Sequence, residues 1–349
     1  MIKNITLDNF RRFNKLDLKI DSNLIILIGS NAVGKTSVLE AIYLASTLKS
    51  PRARETNYLI KENEPFSKVK IETDNKKFQI VLSENKKRVS IDNIEIKRAR
   101  DFVGNLHTVF FSPDDLSLVT SSPAKRRQFL DLELSLLSKK YLDCLSKSKY
   151  FLHERNEALK KGASDSIINF LTDSFIEYET LLIKSRIKFI NLMNEKLNDI
   201  HFEISQGEKL ELKYESSIPL ENTKEFYMKC LNKDKLLGNS SYGFHRDDFK
   251  IYLNNHEAVN YSSEGQIRNI AISIKIALVM IYESYLNESP ILLLDDVFSE
   301  LDKSRQTNLI KFLNSRPQTF ITTTSLDEIP KELLDKALIL KLEKEKYNG

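Results

Sequence analysis

The sequence has 349 residues, of which 41% are hydrophobic and 29% are charged, and its formal net charge is +4. This apolar share excludes a globally disordered chain, and the length fits about two domains. A net charge this small does not by itself indicate a nucleic-acid-binding protein, although it permits a local basic surface. The two cysteines, Cys144 and Cys230, are far apart and the five histidines are scattered, so neither a disulfide framework nor a Cys/His metal site is expected.

Two segments bear on targeting and membrane insertion. Residues 1–7 alternate like a strand and do not resemble a signal peptide. The longest apolar-rich stretch, residues 270–285, is interrupted by Lys275 and Glu283, so it is too short and too charged to span a bilayer. The sequence therefore predicts a soluble cytoplasmic protein.

The first 120 residues are mainly strand-like. Residues 16–20 alternate between apolar and polar side chains, as a half-buried strand does. Residues 24–28 form a continuous apolar run that ends at Gly29, which is typical of a strand buried on both faces. Residues 36–48 then predict a helix. A buried strand followed directly by a helix indicates an α/β arrangement at this point.

A hairpin is predicted next. Two short alternating runs, residues 89–91 and 94–96, flank Asp92-Asn93, and a two-residue Asp/Asn turn is a strong hairpin signal. Residues 108–111 predict one more strand before the composition changes.

Residues 124–198 form a helical middle region, because Leu, Phe, Lys and Glu recur with helical spacing and the only glycine is Gly162. Three or four helices are expected there. Strands are predicted again at residues 201–205, 209–214, 290–295, 319–323 and 337–342, and a long helix is predicted to start near Ser263. The chain thus divides into a split α/β domain, residues 1–120 and 201–349, and an inserted helical lobe, residues 121–200.

A phosphate-binding loop follows the first buried strand. Gly-Ser-Asn-Ala-Val-Gly-Lys-Thr at residues 29–36 fits the pattern G-x-x-x-x-G-K-[ST], in the expected position between a strand and a helix. The backbone curls so that N–H groups face phosphate oxygens, Lys35 is expected to contact the β- and γ-phosphates, and Thr36 to bind Mg²⁺. The residues expected to bind nucleotide here are Gly29, Ser30, Asn31, Ala32, Val33, Gly34, Lys35, Thr36 and Ser37.

An acidic pair ends the second buried strand. Four apolar residues, 291–294, precede Asp295 and Asp296, and open α/β sheets bind ligands at the carboxyl ends of their strands. Asp295 is the expected Mg²⁺ partner of Thr36. Asp296 is a candidate for orienting or deprotonating the attacking water. Two solvated acids at a strand end remain the alternative interpretation.

Two further segments narrow the class of ATPase. Ser262-Ser263-Glu264-Gly265-Gln266 precedes a long amphipathic helix, and Ser299-Glu300-Leu301-Asp302 follows the acidic pair. With the phosphate loop and the acidic strand, their order resembles an ATP-binding-cassette (ABC) head. In that family two heads enclose two ATP molecules, and the signature serine of one chain contacts the γ-phosphate held by the other. The resemblance assigns this role to Ser263, with Gly265 and Gln266 beside it.

Five segments carry a more specific resemblance. They are FRRF at 10–13, FSPDDL at 111–116, SPAKRRQFLD at 122–131, GFHRDD at 243–248 and LLDDVFSELD at 293–302. They resemble motifs of the RecF family of recombination and repair proteins, and the resemblance covers essentially the whole chain. It implies an α/β fold with an ABC-type ATPase head, comprising the phosphate loop, a mixed sheet flanked by helices and a β-subdomain, into which a compact helical lobe is inserted.

Some positions depart from the cassette pattern. The acidic strand ends Asp-Asp where many cassette ATPases have Asp-Glu, so Asp296 is one methylene shorter, which would suit slow hydrolysis in a switch. No switch histidine follows the last core strand, and Thr323 is the expected γ-phosphate contact there. No glutamine marks the Q-loop near residues 112–115. The cluster at residues 245–248, His-Arg-Asp-Asp, is interpreted as a salt-bridge cluster more readily than as a catalytic one.

Two basic clusters are candidates for contacts with DNA. The first is Lys86, Lys87 and Arg88 on the predicted hairpin, and the second is Lys125, Arg126 and Arg127 at the start of the helical lobe. Such clusters bind phosphate backbones in a salt-dependent way, although a solvated face is the commoner explanation. No aromatic array for stacking single-stranded bases stands out.

The resemblance implies a function that the motifs alone do not specify. ATP binding would drive formation of a homodimer that clamps duplex, gapped or single-stranded DNA, and slow hydrolysis would release it. With RecR and RecO the protein would help load the RecA recombinase, in repair, replication restart and the SOS response. The alternatives are a chromosome-maintenance ATPase of the SMC or Rad50 type, an ABC transporter ATPase subunit and a nuclease with such a head. The helical insert is too short for the first, and the second usually carries the missing histidine and Asp-Glu pair.

Overall fold

The computed structural model describes residues 1–53, 55–84, 86–313 and 318–343. The chain forms two compact units, which we call unit 1 (Met1–Asp115 with Leu278–Gly349) and unit 2 (Leu116–Ala277). The compact units divide after residues 115 and 277. The predicted domain boundaries after residues 120 and 200 stay a prediction.

Strands and helices make up both units, and each type is numbered in chain order. The strands are β1 (Ile2–Phe10), β2 (Phe13–Lys19), β3 (Leu24–Ile28), β4 (Phe66–Thr73), β5 (Lys77–Ser83), β6 (Lys86–Ile91), β7 (Ile94–Glu95), β8 (Thr108–Phe111), β9 (Leu210–Glu215), β10 (Asp248–Leu253), β11 (His256–Glu257), β12 (Ile291–Leu294), β13 (Thr319–Thr323) and β14 (Leu338–Lys341). The helices are α1 (Lys35–Thr47), α2 (Ala99–Phe102), α3 (Leu116–Thr120), α4 (Pro123–Leu137), α5 (Lys139–Lys160), α6 (Asp165–Ser205), α7 (Thr223–Leu237), α8 (Ala258–Tyr261), α9 (Glu264–Leu286), α10 (Lys303–Leu313) and α11 (Lys331–Leu334).

A parallel sheet forms the centre of unit 1, with the strand order β14-β3-β13-β12-β8. The apolar runs of β3 and β12 are buried, as expected for strands covered on both faces. β13 lies between β3 and β12, so the segments that follow these three strands meet at one edge of the sheet. The predicted α/β fold class is thereby confirmed, and this edge carries both the phosphate loop and the acidic pair.

The other strands of unit 1 form an antiparallel sheet in the order β2-β1-β4-β5-β6-β7. Buried and more exposed residues alternate along β4 and β5, so one face packs inward and the other carries polar side chains. The predicted hairpin is present between β6 and β7. Its turn residues, Asp92 and Asn93, have φ values of 52° and 66°, as a two-residue turn of this kind requires.

Unit 2 combines helices α4 to α7 with a three-stranded antiparallel sheet in the order β11-β10-β9. The predicted strand at residues 201–205 is wrong, because α6 continues to Ser205. His201 and Phe202 alternate in burial like strand residues, but they lie in the last turns of the helix. There His201 is buried with Nδ1 2.9 Å from the Ser273 hydroxyl. Gln206, with a φ of 61°, ends the helix.

Among the described residues one helix, α9, has the length and apolar composition of a membrane-spanning helix, with a mean hydropathy of 1.4 in its most apolar window. With 23 residues it is longer than the stretch at residues 270–285 that looked too short and too charged in the sequence. Of that window, 61% is buried inside the protein. A core position therefore accounts for its apolar side chains, among them the fully buried Ile270, Ile274 and Leu278.

Candidate nucleotide-binding site

A cleft of about 800 Å³ opens in unit 1 at the carboxyl edge of the parallel sheet. Phosphate-loop residues such as Asn31 and Lys35 line it together with Asp296. Arg12 and Tyr58 belong to its lining as well. Its volume lies within the range of small-molecule sites, which is roughly 300–1,000 Å³.

Both glycines of the phosphate-loop motif are required by close packing. Gly34 has a φ of 108°, and a Cβ atom there would lie 2.4 Å from the ring of Phe13. A Cβ on Gly29 would lie 2.7 Å from the carbonyl oxygen of Leu342. Any other residue would therefore force the loop out of this curled conformation. Phe13 belongs to the FRRF segment, so the structure explains why an aromatic residue stands there.

Lys35 is the first residue of α1 and only 4% exposed. Its Nζ donates hydrogen bonds to the carbonyl oxygens of Gly29 at 2.7 Å and Ser30 at 3.3 Å. The ammonium group is thus held inside the loop, beside the helix N-terminus. A positive charge beside a helix N-terminus in a concave site is an arrangement that binds phosphate.

Thr36 and Asp295, the predicted magnesium ligands, are in direct contact. The Thr36 hydroxyl donates a 2.7 Å hydrogen bond to Oδ1 of Asp295, a carboxylate that is 1% exposed. The other oxygen, Oδ2, accepts a 2.8 Å hydrogen bond from Arg52, and the pair is also a salt bridge. Hydroxyl and carboxylate oxygens side by side are a donor set that suits Mg²⁺, so these residues fit the metal.

Asp296 follows directly and lines the cleft. Burial, and then the negative charge of Asp295, raise its pKa above the ordinary value. Its backbone N–H donates a 2.9 Å hydrogen bond to the Thr322 hydroxyl, and its φ of 51° turns the chain away from β12. A carboxylate whose pKa is raised toward neutrality is a stronger base, which fits the predicted action on water.

Thr323 does not reach the acidic pair. Its hydroxyl lies 2.7 Å from the Glu328 carboxylate and 2.8 Å from the carbonyl oxygen of Ser325, either of which can accept its proton. Successive side chains point to opposite faces of a strand, and the neighbouring Thr322 faces the site instead. The Thr322 hydroxyl lies 3.0 Å from Oδ1 of Asp295. These contacts favour Thr322 over Thr323 for the β13 contact, and the γ-phosphate contact itself stays a prediction.

The signature residues lie in unit 2, at the start of α9. Ser263 and Gln266 form a reciprocal cap: the Ser263 N–H donates to Oε1 of Gln266 at 2.8 Å, and the Gln266 N–H donates to the Ser263 hydroxyl at 3.3 Å. Nε2 of Gln266 also donates to Glu208 at 2.6 Å. The amide of Gln266 is thus used inside unit 2, whereas Ser263 is exposed at the N-terminus of a long helix, with Gly265 in its first turn.

The sequence patterns missed two arginines of the site. Arg11 forms a bidentate ion pair with the buried Glu40 of α1, at 2.7 and 2.8 Å, and donates to the carbonyl oxygen of Tyr58 at 2.7 Å. Arg52 pairs with Asp295. Arg11 lies in the FRRF segment, which was a usable signal, whereas no local pattern marks Arg52.

The His-Arg-Asp-Asp cluster lies in unit 2 and is largely structural there. Asp248 forms a bidentate ion pair with Arg126, at 2.8 and 2.7 Å. Asp247 is buried and accepts hydrogen bonds from the Tyr214 hydroxyl and the Ser217 N–H. Burial lowers the pKa of His245, which favours the neutral form of the ring. These contacts support the interpretation as a salt-bridge cluster.

The two basic clusters differ in exposure. Lys86, Lys87 and Arg88 are exposed on β6, although the Lys87 amine donates to the carbonyl oxygen of Leu48. In the second cluster Lys125 is exposed beside the Ser117 hydroxyl.

Both arginines of the second cluster are engaged inside unit 2. Arg126 is buried against Asp248, and Arg127 donates to the carbonyl oxygen of Asp247 at 2.7 Å. The structure therefore gives no support for Arg126 as a DNA ligand.

The N-terminal half of the chain matches a known domain model, and the whole chain has close relatives. Residues 1–185 match the AAA ATPase domain. The chain is 36% identical to the DNA replication and repair protein RecF of Halalkalibacterium halodurans, over 98% of this chain and 97% of the relative. It is 40% identical to RecF of Agathobacter rectalis, over 95% and 94% of the two chains.

Solved structures agree with this match. A RecF structure described as RecF-ATP in the RecFOR pathway superposes with a TM-score of 0.90 at 30% identity, covering 98% of this chain and 95% of that one. The Smc head domain of Pyrococcus furiosus superposes with a TM-score of 0.55 at 14% identity, which shows a shared fold only. This protein is therefore an ATPase and belongs to the RecF family of DNA replication and repair proteins.

Proposed function

We propose that the protein is an ATP-dependent DNA clamp of recombinational repair. Mg·ATP would bind in the cleft of unit 1, two ATP-bound copies would associate head to head, and the dimer would bind duplex or gapped DNA. The observation that carries the proposal is the 2.7 Å contact between Thr36 and Asp295 beside the enclosed amine of Lys35. It joins the phosphate loop and the acidic strand into one site.

The residues of unit 1 divide the work of that site. The loop N–H groups and Lys35 would hold the β- and γ-phosphates, and Thr36 and Asp295 would hold Mg²⁺. When bound, Mg²⁺ would neutralise developing phosphate charge. Asp296 would accept the proton of the attacking water, and the Thr322 hydroxyl would keep the two acids in place. Because Asp296 is one methylene shorter than Glu, we expect slow hydrolysis, as suits a switch.

Dimerisation would complete the site from the second copy. Ser263 is exposed at the N-terminus of the 23-residue helix α9, where a helix favours anions. We propose that this serine contacts the γ-phosphate bound by the partner copy. ATP would then bridge two chains, and hydrolysis would remove the bridge.

The DNA surface is proposed on the open face of the antiparallel sheet. In the strand register Lys68 and Arg88 both flank Val81, and Lys86 lies two residues before Arg88 on the same face. Within the described part of the chain, Lys68, Lys70, Lys86 and Arg88 have no ion-pair partner. These four side chains are therefore available to phosphates, and binding should weaken as salt rises.

The partners and the cellular location are proposals of the same kind. The RecF structures that this chain resembles are described as a recombination mediator of the RecFOR pathway. We infer RecR as the direct protein partner, with RecO and RecA acting downstream, in the cytoplasm where DNA gaps arise.

The decisive experiment measures binding to a labelled gapped duplex by fluorescence anisotropy, with and without Mg·ATP at fixed salt. We expect binding to DNA at least tenfold tighter with ATP.

Two variants test the parts of the mechanism. Lys35→Met should remove ATP binding and with it the tighter binding to DNA, since the phosphate-binding charge is lost. Ser263→Arg should keep ATP binding in the monomer but prevent ATP-driven dimerisation, measured by light scattering. Equal DNA affinity with and without ATP would contradict the proposal.

A further inference from the structure

Tyr58 is an aromatic side chain in an unusual place. It is 64% exposed, and it lines both the nucleotide cleft and a neighbouring cavity of about 610 Å³. Among the described residues its ring has no aromatic neighbour and its hydroxyl has no hydrogen-bond partner. An exposed tyrosine alone needs no explanation. One that faces a ligand cleft is a candidate for contact with the ligand.

The chain segment that carries Tyr58 is firmly held. The Arg11 N–H donates to the carbonyl oxygen of Leu59 at 2.8 Å, and the Arg11 guanidinium donates to that of Tyr58 at 2.7 Å. The same guanidinium is paired with Glu40 on α1. The backbone of Tyr58 is thus tied to the helix that begins at Lys35, which keeps this residue at the edge of the cleft.

The lining of the cleft supplies two kinds of chemistry. Lys35, Thr36 and Arg52 offer cationic and hydroxyl groups, which suit the triphosphate. Tyr58 and Ile60 are the large apolar side chains in the described lining, and Tyr58 is the aromatic one. A triphosphate is a charged group and gains no binding energy from a flat apolar surface. A purine does, because base–aromatic stacking and apolar burial favour it.

We propose that Tyr58 is the stacking surface for the nucleobase, with Ile60 beside it. The inference rests on the proposed function, because it requires that the triphosphate occupies the phosphate loop. Stacking uses the face of the base and does not distinguish its edge, so ATP and GTP should both use the site. The ligand class is therefore a nucleoside triphosphate, and purines, which have the larger stacking face, should bind more tightly than pyrimidines.

The test separates the base from the phosphates. Mg·ATP and Mg·tripolyphosphate, which lacks the nucleoside, are titrated by calorimetry into wild type, Tyr58→Ala and Tyr58→Phe. We expect Tyr58→Ala to weaken ATP binding on the order of tenfold. Its affinity for tripolyphosphate should stay within about twofold of wild type, since the phosphate loop is untouched. Tyr58→Phe should bind ATP like wild type because it keeps the ring.

The matched control is Tyr285→Ala, which removes a similarly exposed tyrosine (58%) from the C-terminal part of α9, the part that belongs to unit 1. It should leave both affinities unchanged. Unchanged ATP affinity in Tyr58→Ala would overturn the inference, and so would an equal loss for ATP and tripolyphosphate, which would mean a disturbed phosphate site. If wild type bound tripolyphosphate as tightly as ATP, the base site would be wrong and the phosphate loop right. If wild type bound neither, the proposed function would fail first.

Discussion

The two units use charged side chains in opposite ways. In unit 1, Lys35, Arg52 and Asp296 line an open cleft, where a ligand can reach them. In unit 2, arginines of the same chemistry are fully enclosed by protein partners. The same residue types thus form a binding site in one unit and a structural core in the other, and what differs is whether they line an open cleft or are buried among protein partners.

Arg186 illustrates the structural use. Its guanidinium donates to Asp131 at 2.7 Å, to the carbonyl oxygen of Phe244 at 2.8 Å and to the hydroxyls of Tyr141 and Tyr214 at 3.1 and 3.3 Å. These partners come from α4, α5, β9 and the loop before β10. One buried cation therefore fixes four segments of unit 2, and it does so without any ligand.

The largest effect on stability is expected at Arg155, whose replacement tests most directly whether the buried arginines of unit 2 are structural. This buried residue of α5 donates to Thr172 of α6 and Asp234 of α7, both at 2.9 Å, and to Ser240. Arg155→Met leaves Asp234 buried without its cation, and we expect a loss of about 3–5 kcal/mol in the free energy of unfolding, measured in urea. ATP affinity of the folded protein should remain, because the cleft belongs to unit 1.

A double variant controls this prediction. Arg155→Met with Asp234→Leu removes both charges, so it should recover part of the lost stability. If the single variant were as stable as wild type, the enclosed network of unit 2 would not have the structural role that its contacts indicate.

The next effect in size is a dependence of the unfolding free energy on pH. Burial raises the pKa of Glu179 on α6 to about 7, although the Tyr227 hydroxyl and the Phe244 N–H donate to it. Between pH 4.5 and 7 the folded protein holds a proton that the unfolded chain has released. The stability this proton contributes is complete below the unfolded pKa and is lost as pH rises through 7.

Glu179→Gln tests this sign. Relative to the variant, wild type should lose about 2.5 kcal/mol of unfolding free energy between roughly pH 5 and 8. Urea denaturation of both proteins across this range measures the difference, in which titrations common to both cancel. A difference that does not change with pH would show that Glu179 stays ionised in the folded protein.

The sequence predicted the binding site better than the enclosed network, for a physical reason. The phosphate loop is a local structure: glycine, lysine and threonine at fixed spacing determine it, and Gly34 with its φ of 108° shows why the spacing is strict. Arg126, by contrast, lies 122 residues from its partner Asp248. No local pattern reveals such a partner, so the sequence alone makes this arginine a candidate DNA ligand.

The difference between the predicted β13 contact, Thr323, and the threonine that lies beside the acidic pair, Thr322, has a related cause. Thr322 and Thr323 are chemically identical, and only the phase of the strand decides which of them faces the acidic pair. Register is set by pairing with β3 and β12, where Ile321 lies opposite both Ile26 and Leu294. The sequence therefore predicts the strand, but not which of the two threonines faces the acidic pair.

A moderate effect is therefore expected from these two threonines, which form a matched pair. Thr322→Val removes the hydroxyl that binds Asp295 and the Asp296 N–H, and we expect ATP turnover to fall on the order of tenfold. Thr323→Val removes hydrogen bonds only to Ser325 and Glu328 and should leave turnover close to wild type. Steady-state phosphate release measures both. The reverse ranking would restore the contact to Thr323.

The smallest effect is expected on DNA affinity, where single substitutions compare one exposed arginine with one buried arginine. Arg88→Ala and Arg126→Ala remove the same charge, so any effect through net charge alone is equal in both. Arg88 is exposed on the sheet face, and Arg126 is buried in its pair with Asp248. Affinity for duplex DNA, measured at several salt concentrations, should fall a few-fold in Arg88→Ala, and the slope of log affinity against log salt should decrease by about one.

For Arg126→Ala we expect the wild-type slope together with lower stability, because the half-buried Asp248 loses its partner. Equal slopes in the two variants would mean that neither arginine contacts phosphate. A reduced slope in Arg126→Ala alone would require that its ion pair opens when DNA binds. The enclosed charge would then belong to the binding surface, and the distinction between the two units would no longer hold at this position.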